Sequence, residues 1–341
     1  MSVASAMPMG WGLPWQTFTD RLDDEARARA EIEKLAPAVL MRQAAKEVKD
    51  LDLLQKVRSL MALDGMEDGF SFLHLHEAIF GKLPDWKPQL IGSCVASGDK
   101  ETTSARMLAE VFLFQQAESL PGAFTSTRDN ASFFAPFNYR AGRKLAGING
   151  NGDGSLCMPH IRGKMQYGHL PCSTLGLTSD DFPEPQNQST YRQWGATDNL
   201  LNTFASAAGK YRLLESEKVK TPDEMWTLHA EHYKPANICS MWAFKRGPQH
   251  PSWKTRDGKP VYIWVRDTRQ EWAHNMSRMG YIKVSGQRYA IVKNTWGPFH
   301  DGRSWFVIDD QTDEAWLRQA ECQTVGDIDM QDNPAAWPSF S

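Results

Sequence analysis

Cys94 lies in the stretch Pro88-Gln89-Leu90-Ile91-Gly92-Ser93-Cys94-Val95-Ala96-Ser97, where small residues predict a tight turn and a helix-like run from Thr103 to Ala117 follows. A helix N-terminus offers partial positive charge and free backbone N–H groups, which favour the thiolate, the form of cysteine that attacks a carbonyl carbon. Gly92 and Ser93 leave room for a substrate to approach, and the Gln89 amide stands five positions upstream. Most cysteines in soluble chains are small buried hydrophobes, so a nucleophile must be recognised by its partners. They stand far downstream. His274 opens one apolar, strand-like run and Asn294 closes the next, 20 residues later. A general base and the group that orients it can therefore lie side by side on neighbouring strands.

With these residues in view, the chain resembles the papain-like cysteine peptidases in four separated motifs, in that family's order. Gly92-Ser93-Cys94 resembles the nucleophile turn; His274 through Gly280-Tyr281 resembles the histidine strand; Lys293-Asn294-Thr295-Trp296-Gly297 resembles the K-N-S-W-G signature. Gly152-Asp153-Gly154, followed at a distance by Tyr167-Gly168, resembles the glycine loop of the substrate cleft and the helix after it. The resemblance spans about residues 85 to 310, in motifs rather than throughout. It departs from the family's local signature at Gly92 and Val95, where a second cysteine and an aromatic are usual. The 180 residues from Cys94 to His274 and 200 to Asn294 also imply an insertion.

What the resemblance implies is amide hydrolysis by Cys94, His274 and Asn294, with Gln89 and the Cys94 backbone N–H holding the oxyanion. Gly92, Ser93, Asp153, Gly154 and Ala273 are then expected to contact substrate, and Trp296 to shield the His274–Asn294 bond. Asp153, in place of a cleft glycine, would favour a basic or polar substrate residue. No cofactor or metal is required. Distant members of the family include phage-encoded, virion-associated proteins. The alternative is therefore a structural or assembly protein that keeps the fold with little or no catalysis.

A chain of 341 residues can bury a large core, and its formal charge of −3 gives no polyelectrolyte signal, which disfavours nucleic acid as the main partner. Residues 1 to 15 lack the basic and apolar segments of a secretory signal, and no run approaches a membrane span, so a cytoplasmic or virion location is expected. Five cysteines, odd in number and irregularly spaced, argue against a disulfide framework and suit a reducing compartment. Cys157, His160, His169 and Cys172 have the residue types of a zinc site. Ordinary roles in a helix and the turn after it account for the two histidines better.

The elements that must position these residues follow from pattern. Residues 1 to 19 look like an extended arm; 20 to 48 and the stripe Leu53, Leu54, Val57, Leu60, Met61 predict two amphipathic helices. The second must bury its apolar face on the main domain or on a neighbouring subunit, so self-association or virion assembly through this region is a possible role. His74 and His76 read as structural. Residues 122 to 139 look loop-like, and the glycines between Ala141 and Gly154 lack the ending of a phosphate loop. Thr178 to Gln193 suggests a crossing between halves. Thr221-Pro222-Asp223-Glu224 predicts a capped helix start. Strands are predicted at 236–244, 261–265, 276–284, 289–293 and 305–308, with an exposed turn at 253–260 and a hairpin at 284–287. The thirteen tryptophans, several in stretches that read as exposed, are compatible with interfaces.

The expected architecture is α+β: a papain-like two-lobed fold, helical half against antiparallel β half, with an N-terminal helical extension. Its segments are 1–80, an arm with amphipathic helices; 81–190, the helical half with the nucleophile; 191–315, the β half with His274 and Asn294; and 316–341, a tail. A peptide or protein substrate would lie in the cleft between the halves.

Overall fold

The computed structural model describes residues 47–84, 92–114, 133–150, 153–176, 188–213, 219–295, 303–319, 321–324 and 328–329. The expected arm, nearly all of the first amphipathic helix, Gln89, Gly152, Trp296 and most of the tail lie outside them; the described part of the expected tail, from residue 316, is instead the end of a helix followed by two short strands. The fold is α+β. In chain order its elements are α1 (Leu51–Met61), β1 (Met66–Ser71), α2 (Phe72–Phe80), α3 (Cys94–Leu108), α4 (Ala135–Leu145), α5 (Cys157–Tyr167), α6 (Gln188–Ala196), α7 (Asn199–Ala208), β2 (Arg212–Leu213), α8 (Pro222–Ala230), β3 (Ala236–Lys254), β4 (Pro260–Val284), β5 (Gln287–Lys293), β6 (Trp305–Asp309), α9 (Asp310–Gln319), β7 (Glu321–Thr324) and β8 (Ile328–Asp329).

The β half is a mostly antiparallel sheet in the order β5-β6-β4-β3-β7, with β1 also paired to β4. Its spine is the hairpin β3–β4, two strands longer than the sequence pattern predicts because charged and polar residues face outward along them. The expected hairpin between β4 and β5 is present: Val284 pairs with Gln287 across Ser285 and Gly286, whose φ values of 51° and 78° are those a two-residue primed turn needs. One side of the sheet buries Ile238, Trp242, Met276, Val292 and Phe306 against α8 and α9. The helix start at Thr221 forms the predicted capping box with Glu224.

The other side of the sheet is covered by the amino-terminal segment. Asp50 caps α1 by accepting from the Leu53 amide at 2.8 Å, and Leu54, Val57 and Met61 face inward on Phe70, Tyr281 and Val284. β1 lies antiparallel to β4, Ser71 opposite Gly280, and α2 ends on Gly81 in the left-handed region at φ 79°.

In the helical half, α4 takes up the end of the stretch 122–139 expected as a loop, and α6 the end of the stretch 178–193 read as a crossing; residues 122–132 and 178–187 lie outside the described residues. Aromatic residues explain both: Phe134, Phe137 and Tyr139 bury themselves against Tyr191 and Trp194. Tertiary burial overrides the Pro, Gln and Ser signals that favour irregular chain. Gly142 lets α5 approach, since a Cβ there would come within 2.1 Å of the His160 ring. Two other expectations are corrected. Trp253, at the start of the expected turn, is fully buried, stacked on His250 and edge-on to Tyr289, although residues 256–259 do form an exposed turn; and, Trp272 left aside, of the large hydrophobic side chains among the described residues only Leu51 and Leu83 are exposed. Trp194, Trp242, Trp253, Trp264 and Trp316 therefore serve the core.

The cysteine reading is also corrected, because Cys157 and Cys239 form a disulfide. They are 82 residues apart and belong to different halves, so only the fold brings them together. Among the described residues no three His, Cys, Asp or Glu side chains form a metal-binding group, and no helix is long and apolar enough to cross a membrane.

Candidate active site

Cys94 is the first residue of α3, a 15-residue helix whose first turn is built on Ser93 and buried throughout. The Ser93 carbonyl accepts from the Ser97 amide at 2.9 Å, which leaves the earlier N–H groups of the turn outside the helical ladder. Gly92 and Ser93 are themselves buried beside it. The helix is held to the β half by several polar contacts. Asn275 Nδ2 donates to the Cys94 carbonyl at 3.3 Å, Ser277 Oγ donates to the Gly98 carbonyl at 3.4 Å, and Lys293 pairs with Glu101.

A second group of contacts fixes α3 from below. Asp99 is buried among Lys164 at 2.9 Å, His160 at 3.3 Å and the Asn237 amide. Burial alone would raise its carboxyl pKa, but the Lys164 ammonium and the bond with His160 outweigh that and hold it low. Gly98 completes the seating: a Cβ there would stand 1.9 Å from Asn275 Nδ2.

His274 and Asn294 come together as the spacing predicts. His274 Nε2 donates to Asn294 Oδ1 at 2.8 Å. An amide oxygen can only accept, so this bond puts the proton on Nε2 and leaves Nδ1 as the basic nitrogen. Asn294 is carried by the end of β5, its backbone N–H bonded to the Ser304 carbonyl at 2.9 Å. On β4 the register with β3 slips by one residue between Ser240–His274 and Trp242–Glu271, a bulge just ahead of His274 of the kind that re-aims side chains. The residues on either side of His274 meet the Cys94 turn: Ala273 packs on the small apolar cluster of Cys94, Val95, Leu156, Cys157 and Cys239, and Asn275 bonds the Cys94 carbonyl.

The site is closed. Cys94 and His274 are each 1% exposed and Asn294 4%. Burial pushes the His274 pKa down to about 4, against the smaller upward pull of the bond to Asn294. In this arrangement the imidazole is neutral at pH 7, so the charged pair of an activated cysteine requires the site to open or rehydrate.

The glycine loop reaches the same region. Arg143 is fully buried and donates from Nη1 to the Gly154 carbonyl at 2.7 Å and from Nη2 to the Gly150 carbonyl at 3.0 Å, which clamps the loop ahead of α5. Gly154 has φ +95°, a conformation that requires glycine. Asp153 lies 3.6 Å from Arg192 Nε, so its charge is already partly answered within the chain. His160 and His169 sit in α5 and in the segment just after it, with His160 beside Asp99 and His169 beside Thr103 and Phe133. Asn275, Gly98, Asp99 and the Cys157–Cys239 pair escaped sequence reasoning; a glycine four positions into a helix is the one signal that marked any of them.

No family model matches the chain, and no curated protein does. Among solved structures it is similar to xylellain, a cysteine protease from Xylella fastidiosa, at 12% identity and a TM-score of 0.48 over 84% of this chain and 92% of that one. It is similar to procathepsin L 3 of the Tenebrio molitor larval midgut at 11% identity and a TM-score of 0.45, over 90% and 88% of the two chains. Procathepsin B S9 from Trypanosoma congolense aligns at 13% identity and a TM-score of 0.46, over 94% and 99%. With likeness at this level, the case for chemistry rests on the side chains themselves.

Proposed function

We propose that this chain is a papain-like cysteine peptidase that hydrolyses amide bonds of a peptide or protein substrate through Cys94, His274 and Asn294. The observation that carries the reading is the buried Nε2 to Oδ1 bond of 2.8 Å between His274 and Asn294, on strands whose neighbouring residues touch the Cys94 turn. His274 Nδ1 takes the proton of Cys94, and the thiolate attacks the substrate carbonyl carbon. The oxyanion is held by the Cys94 backbone N–H at the start of α3 and by the Gln89 side chain. As the C–N bond breaks, His274 gives its proton to the leaving amine. Water, deprotonated by His274, then splits the thioester and restores the thiol. Asn294 keeps the ring in the required tautomer throughout, and Trp296 excludes water from that bond.

The test is alkylation of the reduced protein by iodoacetamide at about pH 6, where an ordinary thiol is almost wholly protonated. Cys94 is expected to label ahead of Cys172, a buried cysteine outside the Cys157–Cys239 disulfide, and His274→Ala to abolish the preference. Cys94→Ala should fold normally and lose hydrolysis of a peptide library. Equal labelling of the two cysteines, or hydrolysis that survives Cys94→Ala, rules the assignment out.

A further inference from the structure

The Cys157–Cys239 disulfide joins the two halves of the molecule at the site itself. Cys157 begins α5, immediately after the Gly154 loop, and Cys239 lies on β3 directly opposite Asn275 of β4. The bond therefore runs from the wall that carries the glycine loop to the wall that carries His274. Cys157, Cys239 and Cys94 belong to one buried apolar cluster with Val95 and Leu156, exposed by 2%, 4% and 1% respectively. Contact continues to the nucleophile through a single residue. Cys239 Sγ lies 3.2 Å from Asn275 Oδ1, and the Nδ2 of the same amide bonds the Cys94 carbonyl.

An acyl substrate must pass between these walls to reach Cys94, and a covalent tie between them prevents their separation. Noncovalent contacts at the junction can open and re-form on the timescale of local fluctuation, but a disulfide cannot. We propose that the Cys157–Cys239 disulfide is a redox latch on the cleft: oxidised, it keeps the halves closed over Cys94, and two-electron reduction admits substrate. The proposal rests on the peptidase reading above. Reduction by a dithiol proceeds through a mixed disulfide. The Cys157–Cys239 bond breaks, the two sulfurs leave as thiols with the two protons and two electrons of the reductant, and the dithiol becomes a disulfide. With a phosphine, water supplies the oxygen of the phosphine oxide and the two protons. Once the walls part, water reaches His274, and the desolvation that holds its pKa at about 4 is relieved.

The experiment uses the full chain with its disulfide verified by non-reducing peptide mapping, and reads the rate of iodoacetamide labelling at Cys94 by mass spectrometry. Three forms are compared: oxidised wild type, phosphine-reduced wild type, and the double variant Cys157→Ser/Cys239→Ser without reductant. Cys94 is expected to label about tenfold faster or more in the last two forms than in the first, as burial of a thiol limits its reactivity. The double variant separates release of the latch from mere re-reduction of an oxidised Cys94, and reduced wild type serves if the variant does not fold. Equal rates in all three forms, with Cys94 still labelled ahead of Cys172, would overturn the latch and leave the peptidase reading standing. Failure of Cys94 to label ahead of Cys172 in every form would overturn both.

Discussion

At the scale of single residues, the site depends on fits that a sequence shows only in part. The juxtaposition of His274 and Asn294 was legible because each has a chemically distinctive type in a strand-like setting, and the two meet at 2.8 Å. Asn275 was not legible, since a polar residue beside a histidine on a strand has no signature until the strand's partner is known. Gly98 was nearly so. Its hydrogen is the only substituent that fits, because a Cβ would stand 1.9 Å from Asn275 Nδ2 and 3.1 Å from Asn237 Oδ1. Gly98→Ala should therefore push the Asn275 amide off the Cys94 carbonyl and destabilise the fold by about 1–3 kcal/mol, the usual range for overpacking. Adding Asn275→Ala makes room, so the double variant should unfold in urea at a higher midpoint than simple addition of the two single effects gives. Strict additivity would show that the two residues do not compete for this space. On the peptidase reading proposed above, Asn294→Ala removes the group that orients the ring but leaves the base. Its kcat should fall by less than the roughly 10²–10⁴-fold that a general base contributes, whereas His274→Ala should lose that factor in full. Equal losses in the two variants would contradict these separate roles.

At the scale of elements, periodic and capped segments matched their patterns, and segments whose burial is decided elsewhere did not. α1 follows from its stripe and Asp50, and α8 from Thr221, Pro222 and Glu224. α4 and α6 were missed because Phe137, Tyr139, Tyr191 and Trp194 fold onto one another only in three dimensions. The amphipathic stripe of α1 settles within the same chain: Leu54, Val57 and Met61 share a core with Phe70, Tyr281 and Val284. β1 adds to the edge of β4 in the same region. This amino-terminal segment is thus part of the β half's own core. Met61→Ala should cost about 2–5 kcal/mol in urea unfolding, as for other buried Met-to-Ala changes. A chain that begins at Gly81 loses α1, β1 and α2 together, exposes the face they cover, and is expected to aggregate. A soluble, monomeric and equally stable product of that truncation would show that the face needs no cover.

At the scale of the whole molecule, what the sequence could not show was which distant residues become neighbours. Cys157 and Cys239, 82 positions apart in the chain, look like unrelated cysteines until α5 and β3 are brought together. The histidines give a further whole-molecule property, because several are buried in separate places yet titrate over one range of pH. His74 lies against Trp305, His169 against Phe133, His229 against Phe72, and His274 on Asn294. Burial pushes the pKa of His74 and His274 down to about 4 and that of His169 to about 3, and lowers those of His160 and His229 as well. In the unfolded chain each returns to about 6.5. Between those limits the folded protein keeps these rings neutral while the unfolded chain binds protons, so acid favours unfolding. The stability they contribute is complete above about pH 6.5 and is lost as pH falls toward 4, each ring adding a slope of about 1.4 kcal/mol per pH unit while it lies within its window. Asp313 acts in the opposite sense, since burial raises its pKa despite Arg278 at 3.0 Å, but it is one group against five. Asp99 and Glu101, held low by Lys164 and Lys293, extend the loss below the ordinary carboxylate range. Urea unfolding measured at steps from pH 7 to pH 4 should show stability falling steeply and without a plateau, and His169→Gln should flatten the slope by about one proton's worth, about 1.4 kcal/mol per pH unit. A flat profile across that range would mean that these rings are protonated in the folded state, and the neutral, closed site described for His274 would fall with it.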